Sequence, residues 1–178
     1  MTWEFDAAHS RFGFSVRHMV ISTVRGHFET VRGSLNINEN DLADSWVEAE
    51  ADTDSIKTGD DKRDAHLRSA DFFDATTYPT ITFKSTKVER DGDDYKVTGD
   101  LTMHGVTKPA VFELEYSGQI KDPYGLQRAG FSAKGKISRK EWGLTWHPTL
   151  ETGGAVVSDE VKLDLEFEAV YKAATVNA

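Results

Sequence analysis

The residues of this chain that could do chemistry are six histidines, a run of aspartates and one dense patch of cations and tryptophans. His9, His18, His27, His66, His104 and His147 include no His-Glu-x-x-His pair, the spacing that turns two imidazoles to one helix face around zinc. His18 and His27 stand on facing arms of a hairpin and could approach each other. One of them, or His104, placed in a cavity beside a carboxylate would make an acid–base group for a small apolar substrate. The simpler reading of each is a structural hydrogen bond. Asp52, Asp54, Asp60, Asp61 and Asp64 form an acidic cluster, but its spacing lacks the glycine at six and the glutamate at twelve of a calcium loop. Helix capping and a solvated face account for these aspartates. No Gly-x-Ser-x-Gly elbow, phosphate-binding loop or dinucleotide glycine pattern occurs. With zero cysteines, disulfides, thiolate metal sites and cysteine nucleophiles are excluded. The chain is therefore expected to have no catalytic residues, no metal site and no required cofactor.

The patch Arg139-Lys140-Glu141-Trp142-Gly143-Leu144-Thr145-Trp146-His147-Pro148 sits beside a loop. Tryptophan has an apolar body and a hydrogen-bonding edge, so such a rim could hold a polar or phosphorylated head group. Alternatively, Trp142 and Trp146 cap the core between two strands.

The elements that must position these residues are strands. Val161, Leu163, Leu165, Phe167, Ala169 and Tyr171 alternate with Lys162, Asp164, Glu166 and Glu168, which gives one dry and one wet face. The same period of two runs through Phe12–Arg17, Ile81–Lys84, Tyr95–Met103, Phe112–Tyr116 and Phe131–Ser138. Over 24–38 the phase flips, with Val24, Gly26 and Phe28 followed by Val31, Gly33, Leu35 and Ile37. One extra residue near Thr30 restores the inward face, as a β-bulge does in a bent strand. Residues 45–54 form a third early strand. Turn signals at 38–41, 90–93, 104–105, 121–125 and 153–154 separate the runs.

Eight strands with hairpin-length loops predict a single all-β domain over 1–178. Its architecture is an antiparallel up-and-down β-barrel, with a two-sheet sandwich as the alternative. One short helical insertion interrupts it near residues 60–70. Thr58 with Asp61 three residues on resembles a cap, Asp60, Asp61 and Asp64 suit the helix N-terminus, and Asp64 and Arg68 are spaced for an ion pair.

A barrel of this size is either filled by side chains or holds one small ligand. Small inward residues (Gly26, Gly33, Gly99, Ala133 and Gly135) could leave volume for a guest or could mark strand bends. The inward faces are apolar, so a guest would be a hydrocarbon, at about 0.8 kcal/mol per buried methylene. A net charge of -9 argues against nucleic-acid binding and against electrostatic docking of the whole surface on an anionic membrane. No apolar run is long enough to span a bilayer, so no stable membrane insertion is expected. The N-terminus shows no signal peptide. A cytoplasmic location is expected, or a periplasmic or secreted one if a leader was removed.

Several ordered motifs belong together: Asp6-x-x-His9-Ser10 with Phe12-x-Phe14; Gly26-x-Phe28 with Gly33; Ser55-Ile56-x-Thr58-Gly59; and Arg63-Asp64-x-His66-Leu67-Arg68-Ser69-x-Asp71-Phe72-Phe73. Tyr78-Pro79-x-Ile81-x-Phe83-x-Ser85, Gly99-Asp100-Leu101-Thr102-x-His104-Gly105-Val106-Thr107, Gly130-Phe131, Arg139-x-x-Trp142-Gly143 and Asp159-Glu160-Val161 continue them. In this order, over nearly the whole chain, they resemble the YceI-like, polyisoprenoid-binding family. The resemblance implies a lipocalin-like barrel with an elongated apolar channel for long isoprenoid lipids, and often a homodimer.

Together, the dry faces and the resemblance lead to an expected non-enzymatic protein that sequesters or transports a polyprenyl or quinone-type tail. The expected tail contacts are Phe14, Phe28, Leu35, Phe72, Phe73, Phe83, Leu101, Met103, Phe112, Leu114, Phe131, Leu163 and Leu165. Those expected for the head group are Arg139, Trp142, Trp146 and His147. Phe72 and Phe73 would form a plug or gate at one barrel end. A small enzyme using a cavity histidine, or a stress or interaction protein with a packed barrel, are the alternatives.

Overall fold

The computed structural model describes residues 2–19, 21–146 and 157–172. Its strands are β1 (Thr2–Phe5), β2 (Arg11–His18), β3 (Ser22–Phe28), β4 (Val31–Asn36), β5 (Trp46–Asp52), β6 (Ile56–Lys57), β7 (Thr80–Asp91), β8 (Asp94–Met103), β9 (Val106–Lys121), β10 (Gln127–Ser138) and β11 (Val157–Lys172). Among the described residues one α-helix, α1 (Asp61–Arg68), joins them. β1 and β2 lie end to end along β11, through Trp3↔Tyr171 and Phe14↔Leu163. In the same way β3 and β4 form one bent strand, and β5 and β6 another. The result is eight antiparallel strands in sequence order, closed where β11 returns to β1 and β2. The up-and-down barrel is thus observed, and the sandwich is not.

The bend between β3 and β4 falls at Glu29–Thr30, where the hydrophobic phase flips. Phe28 is buried on one side of it and Val31 and Leu35 on the other. The inserted step restores the inward face and tightens the local curvature. In β5, Val47 and Ala51 are buried and Trp46 is only partly so, which fixes the inward parity that the sequence leaves ambiguous.

Alternating strand directions give the barrel two different ends. At one end lie the β4–β5, β7–β8 and β9–β10 turns. A layer of aromatic rings closes it: Phe5 stacks on Phe167 with centroids 4.3 Å apart, Phe167 on Phe131 at 5.2 Å, and Phe131 packs on Tyr116 at 5.3 Å. At the other end lie the β2–β3 turn, α1 with residues 69–79, the His104–Gly105 turn and the segment after β10. That turn is a two-residue hairpin with both residues at positive φ (55° and 72°), as the twist of tight hairpins demands.

The inward glycines do not leave empty space. A Cβ on Gly26 would lie 2.5 Å from the Phe14 ring, one on Gly33 2.8 Å from Phe5, and one on Gly99 2.6 Å from Phe83. Each glycine is covered by an aromatic ring from its own or an adjoining strand, and packing explains it better than the void that the composition suggests.

The helix starts two residues later than its sequence cap signal at Thr58. Asp60 is the N-cap and accepts hydrogen bonds from the Lys62 and Arg63 backbone N–H groups at 2.9 and 3.1 Å. Thr58 lies outside the helix and takes a different part, described below.

The closed end is tied by a charge network. Arg128 on β10 donates to Asp122 in the β9–β10 turn and to Asp6 after β1, both at 2.7 Å, and Asp6 also meets His9 at 2.8 Å. The Arg128 guanidinium, then His9, holds the Asp6 carboxyl below its ordinary value of 3.8. Asp122 is lowered chiefly by Arg128 as well. A depressed carboxylate stabilises the fold above the unfolded-state value and loses that contribution as pH falls through the folded value. His9 is raised from 6.5 chiefly by its bond to Asp6, so its part is present below that value and fades as pH rises through the folded one. Arg128→Met is therefore expected to lower the melting temperature at pH 5–6 by a few degrees. The gap to the parent should close below about pH 3. Parallel melting curves that keep the same separation from pH 6 to pH 2.5 would contradict the network.

Candidate functional site

Inside the barrel a cavity of about 210 Å³ runs from the floor rings Phe5 and Phe167 to Leu67, Phe72 and Phe73 under the insertion. Its wall is almost wholly apolar because the inward positions of every described strand except β4 converge on it. Phe14, Leu163 and Leu165 are only partly buried although they point inward, and their remaining exposure faces this space.

Of the thirteen expected tail contacts, all but Leu35 and Phe131 line the cavity. Those two also face inward but do not border the cavity. Leu35 is fully buried and pairs with Trp3 and Val47, and Phe131 belongs to the aromatic floor. The expected tail contacts omit Phe5, Phe12, Val16, Ile56, Ile81 and Phe167, all of which also form the wall. For Phe12, Val16, Ile81 and Phe167 the signal was the same alternation.

The insertion is held against the barrel end by a polar clamp. Asp64, 3% exposed, accepts hydrogen bonds from the Thr58 backbone N–H at 2.9 Å and the Thr58 hydroxyl at 2.6 Å. Arg63 Nε donates to the same hydroxyl at 2.8 Å, and Nη2 to the Thr58 carbonyl at 2.7 Å. Asp64 is thus spent on the chain leaving β6 and not on Arg68, as the helical spacing suggested. Beyond α1, Phe73 packs edge-on against Phe28 at 5.9 Å. Phe72 packs against His66 at 5.2 Å and Trp146 at 5.1 Å. These rings form the cavity's lid.

The four expected head-group residues separate. Trp142 is 1% exposed and its Nε1–H donates to the Leu101 carbonyl at 2.9 Å. It is a core residue that caps strand β8 and does not line the cavity. Arg139 borders the cavity but is 4% exposed. Its guanidinium donates to the carbonyls of Ser158, Leu144, Trp146 and Val157 at 2.7–3.3 Å, with Asp159 at 3.7 Å. Burial pushes its pKa down while Asp159 pushes it up. It has almost no donor left for a guest. Trp146 is half-buried at the rim against His66 and Phe72. His147 lies outside the described residues.

No described histidine lines the cavity. His27 stands opposite Gly13 and His18 opposite Ser22, five residues apart along the hairpin or roughly 17 Å. They do not meet. His104 is bonded to the Trp142 carbonyl at 3.1 Å, and His66 to Asp71 at 2.8 Å. Asp6, His9 and Glu168 have their oxygen and nitrogen atoms within 4.8 Å of one another, but Arg128 already supplies the cation there. No described helix is long and apolar enough to cross a membrane.

A closed antiparallel barrel with a dry interior, an aromatic floor and a helical lid has the architecture of a container for an apolar molecule. The chain belongs to the YceI-like family, whose domain model matches residues 3–169. It is 39% identical over 167 residues to the protein YceI of Shigella flexneri, covering 94% of this chain and 84% of that one. The crystal structure of the Campylobacter jejuni YceI protein superposes with a TM-score of 0.74 at 33% identity, over 88% of this chain and 90% of that one. A polyisoprenoid binding domain from Saccharophagus degradans shares the fold with a TM-score of 0.68 at 18% identity, over 96% and 98% of the two chains.

Proposed function

We propose that this protein is a non-enzymatic carrier that encloses the hydrocarbon tail of an isoprenoid lipid within the barrel. The observation that carries the reading is the apolar cavity itself, enclosed by the strands and lined by no described histidine. The polyisoprenoid binding domain of the same fold supports the choice of guest. The affinity comes from dehydration: each buried methylene contributes about 0.8 kcal/mol, and the wall asks for no polar match. At about 210 Å³ the empty cavity is smaller than the roughly 300–1,000 Å³ of pockets that bury a drug-sized ligand. A long tail therefore has to swing the Phe72–Phe73 lid aside, and its head remains at the rim beside Trp146.

Organic-solvent extraction of the purified protein, followed by mass spectrometry, should return a long-chain isoprenoid. Delipidated protein should rebind a polyprenyl probe. Failure of both removes the carrier reading. The lid makes a second, kinetic prediction. Phe72→Ala deletes a ring that closes the cavity against His66 and Trp146. It should accelerate release of a fluorescent polyprenyl probe by about tenfold or more, since roughly 1.4 kcal/mol of barrier suffices for that. An unchanged release rate in a folded variant would make the segment purely structural.

A further inference from the structure

The β2–β3 hairpin differs in charge from the rest of the chain. Residues 11–28 contain three arginines (Arg11, Arg17 and Arg25) and two histidines without a single carboxylate, in a protein of net charge -9 with 30 Asp and Glu. Its tip is apolar and exposed: Ile21 is 82% and Met19 40% accessible. On its β3 side the hairpin outruns its neighbour, because β6 pairs with β3 only at His27 and Phe28, while on the β2 side β11 accompanies it as far as His18. The tip lies at the lid end of the barrel. It is continuous with the cavity wall, because Phe14 and Val16 on β2 line the cavity.

An apolar tip on a cationic stem has the chemistry of a peripheral membrane anchor. Apolar side chains enter the headgroup layer while the nearby arginines, here Arg17 and Arg25, stay at the phosphates; Arg11, opposite Glu166 at the base of the stem, takes no part. The net negative charge of the whole protein does not oppose this, because screening limits each charge to about 10 Å at 0.1 M salt. Asp60 and Asp61 stand on the same end of the barrel, so the contrast belongs to the hairpin and not to the whole rim. We propose that the β2–β3 hairpin docks the lid end of the barrel onto an anionic phospholipid bilayer, which is where an isoprenoid would enter or leave. The docking rests on the carrier reading for its purpose, but it can be tested apart from it.

The test is sedimentation of the full chain with vesicles of phosphatidylglycerol and phosphatidylcholine, or of phosphatidylcholine alone. The parent should bind the anionic vesicles at least about tenfold more tightly, and less so as salt is raised. Ile21→Asp and Arg25→Glu change exposed positions and should each weaken binding on the order of tenfold, with unchanged circular dichroism. Sedimentation of both variants like the parent overturns the proposal. So does a parent that binds neither vesicle, which would favour a protein partner for the tip. Lipid extraction from the same preparations keeps the two ideas apart. Variants that hold their isoprenoid but miss the vesicles support docking by a carrier. A parent that sediments with anionic vesicles yet neither contains nor accepts an isoprenoid supports docking and removes the carrier.

Discussion

Ala133→Phe is expected to weaken lipid retention sharply while leaving the barrel folded and no less stable than the parent. Ala133 sits on β10 between Leu114 and Leu165, is buried, and lines the cavity. In a filled barrel an added ring would force neighbours off their rotamers, at a cost of about 1–3 kcal/mol. Here the ring has a void of about 210 Å³ to enter. The guest is the loser: exclusion of three methylenes costs about 2.4 kcal/mol, roughly a fifty-fold loss of affinity. Ala49→Phe tests the same space from β5, because Ala49 also lines the cavity. Probe binding and thermal melts of both variants decide the matter. Destabilisation by several kcal/mol would show that the interior is packed and not a container. Undiminished probe binding with the fold intact would place the guest elsewhere.

How much of this was legible in the sequence differs from residue to residue. Parity was readable because side chains alternate across a strand, so the inward set came out correctly even through the β3–β4 bend. Height along the barrel was not readable. Leu35 and Phe131 share the inward parity of Phe83 and Leu163, and only the strand register sends the first two to the floor and the others to the cavity. The inward glycines failed as indicators of volume for a related reason. Gly26 faces Phe14 only because the β2–β3 turn sets that register. Asp64 reads as a helix-surface charge, but the chain leaving β6 folds Thr58 over it. The family signature around α1 therefore records a hydrogen-bonded clamp that positions the lid, and the chemistry of the site lies in the apolar rings that follow it.

Arg139 is where local reading and structure differ most, and it carries the second large expectation. A cation beside two tryptophans at a barrel mouth suggests a head-group ligand. The structure instead turns the side chain inward to hold four backbone carbonyls, two from residues 144–146 and two from the start of β11. Arg139→Met keeps most of the apolar bulk and removes all four donors. Those carbonyls then lose their partners, and Asp159, 3.7 Å away, keeps only its ion pair with Lys140. A buried acceptor left without a donor costs about 1–3 kcal/mol, so losing these donors in a chain of this size lowers the melting temperature on the order of 10 °C. Arg139→Lys should recover little of it, because one ammonium cannot span the acceptors that the planar fork reaches. A head-group role predicts the opposite pattern: near-normal melting for both variants, weakened binding of a phosphorylated probe, and substantial rescue by lysine. Melting curves and probe affinities of the two variants therefore separate a residue that recognises a head group from one that builds the barrel mouth.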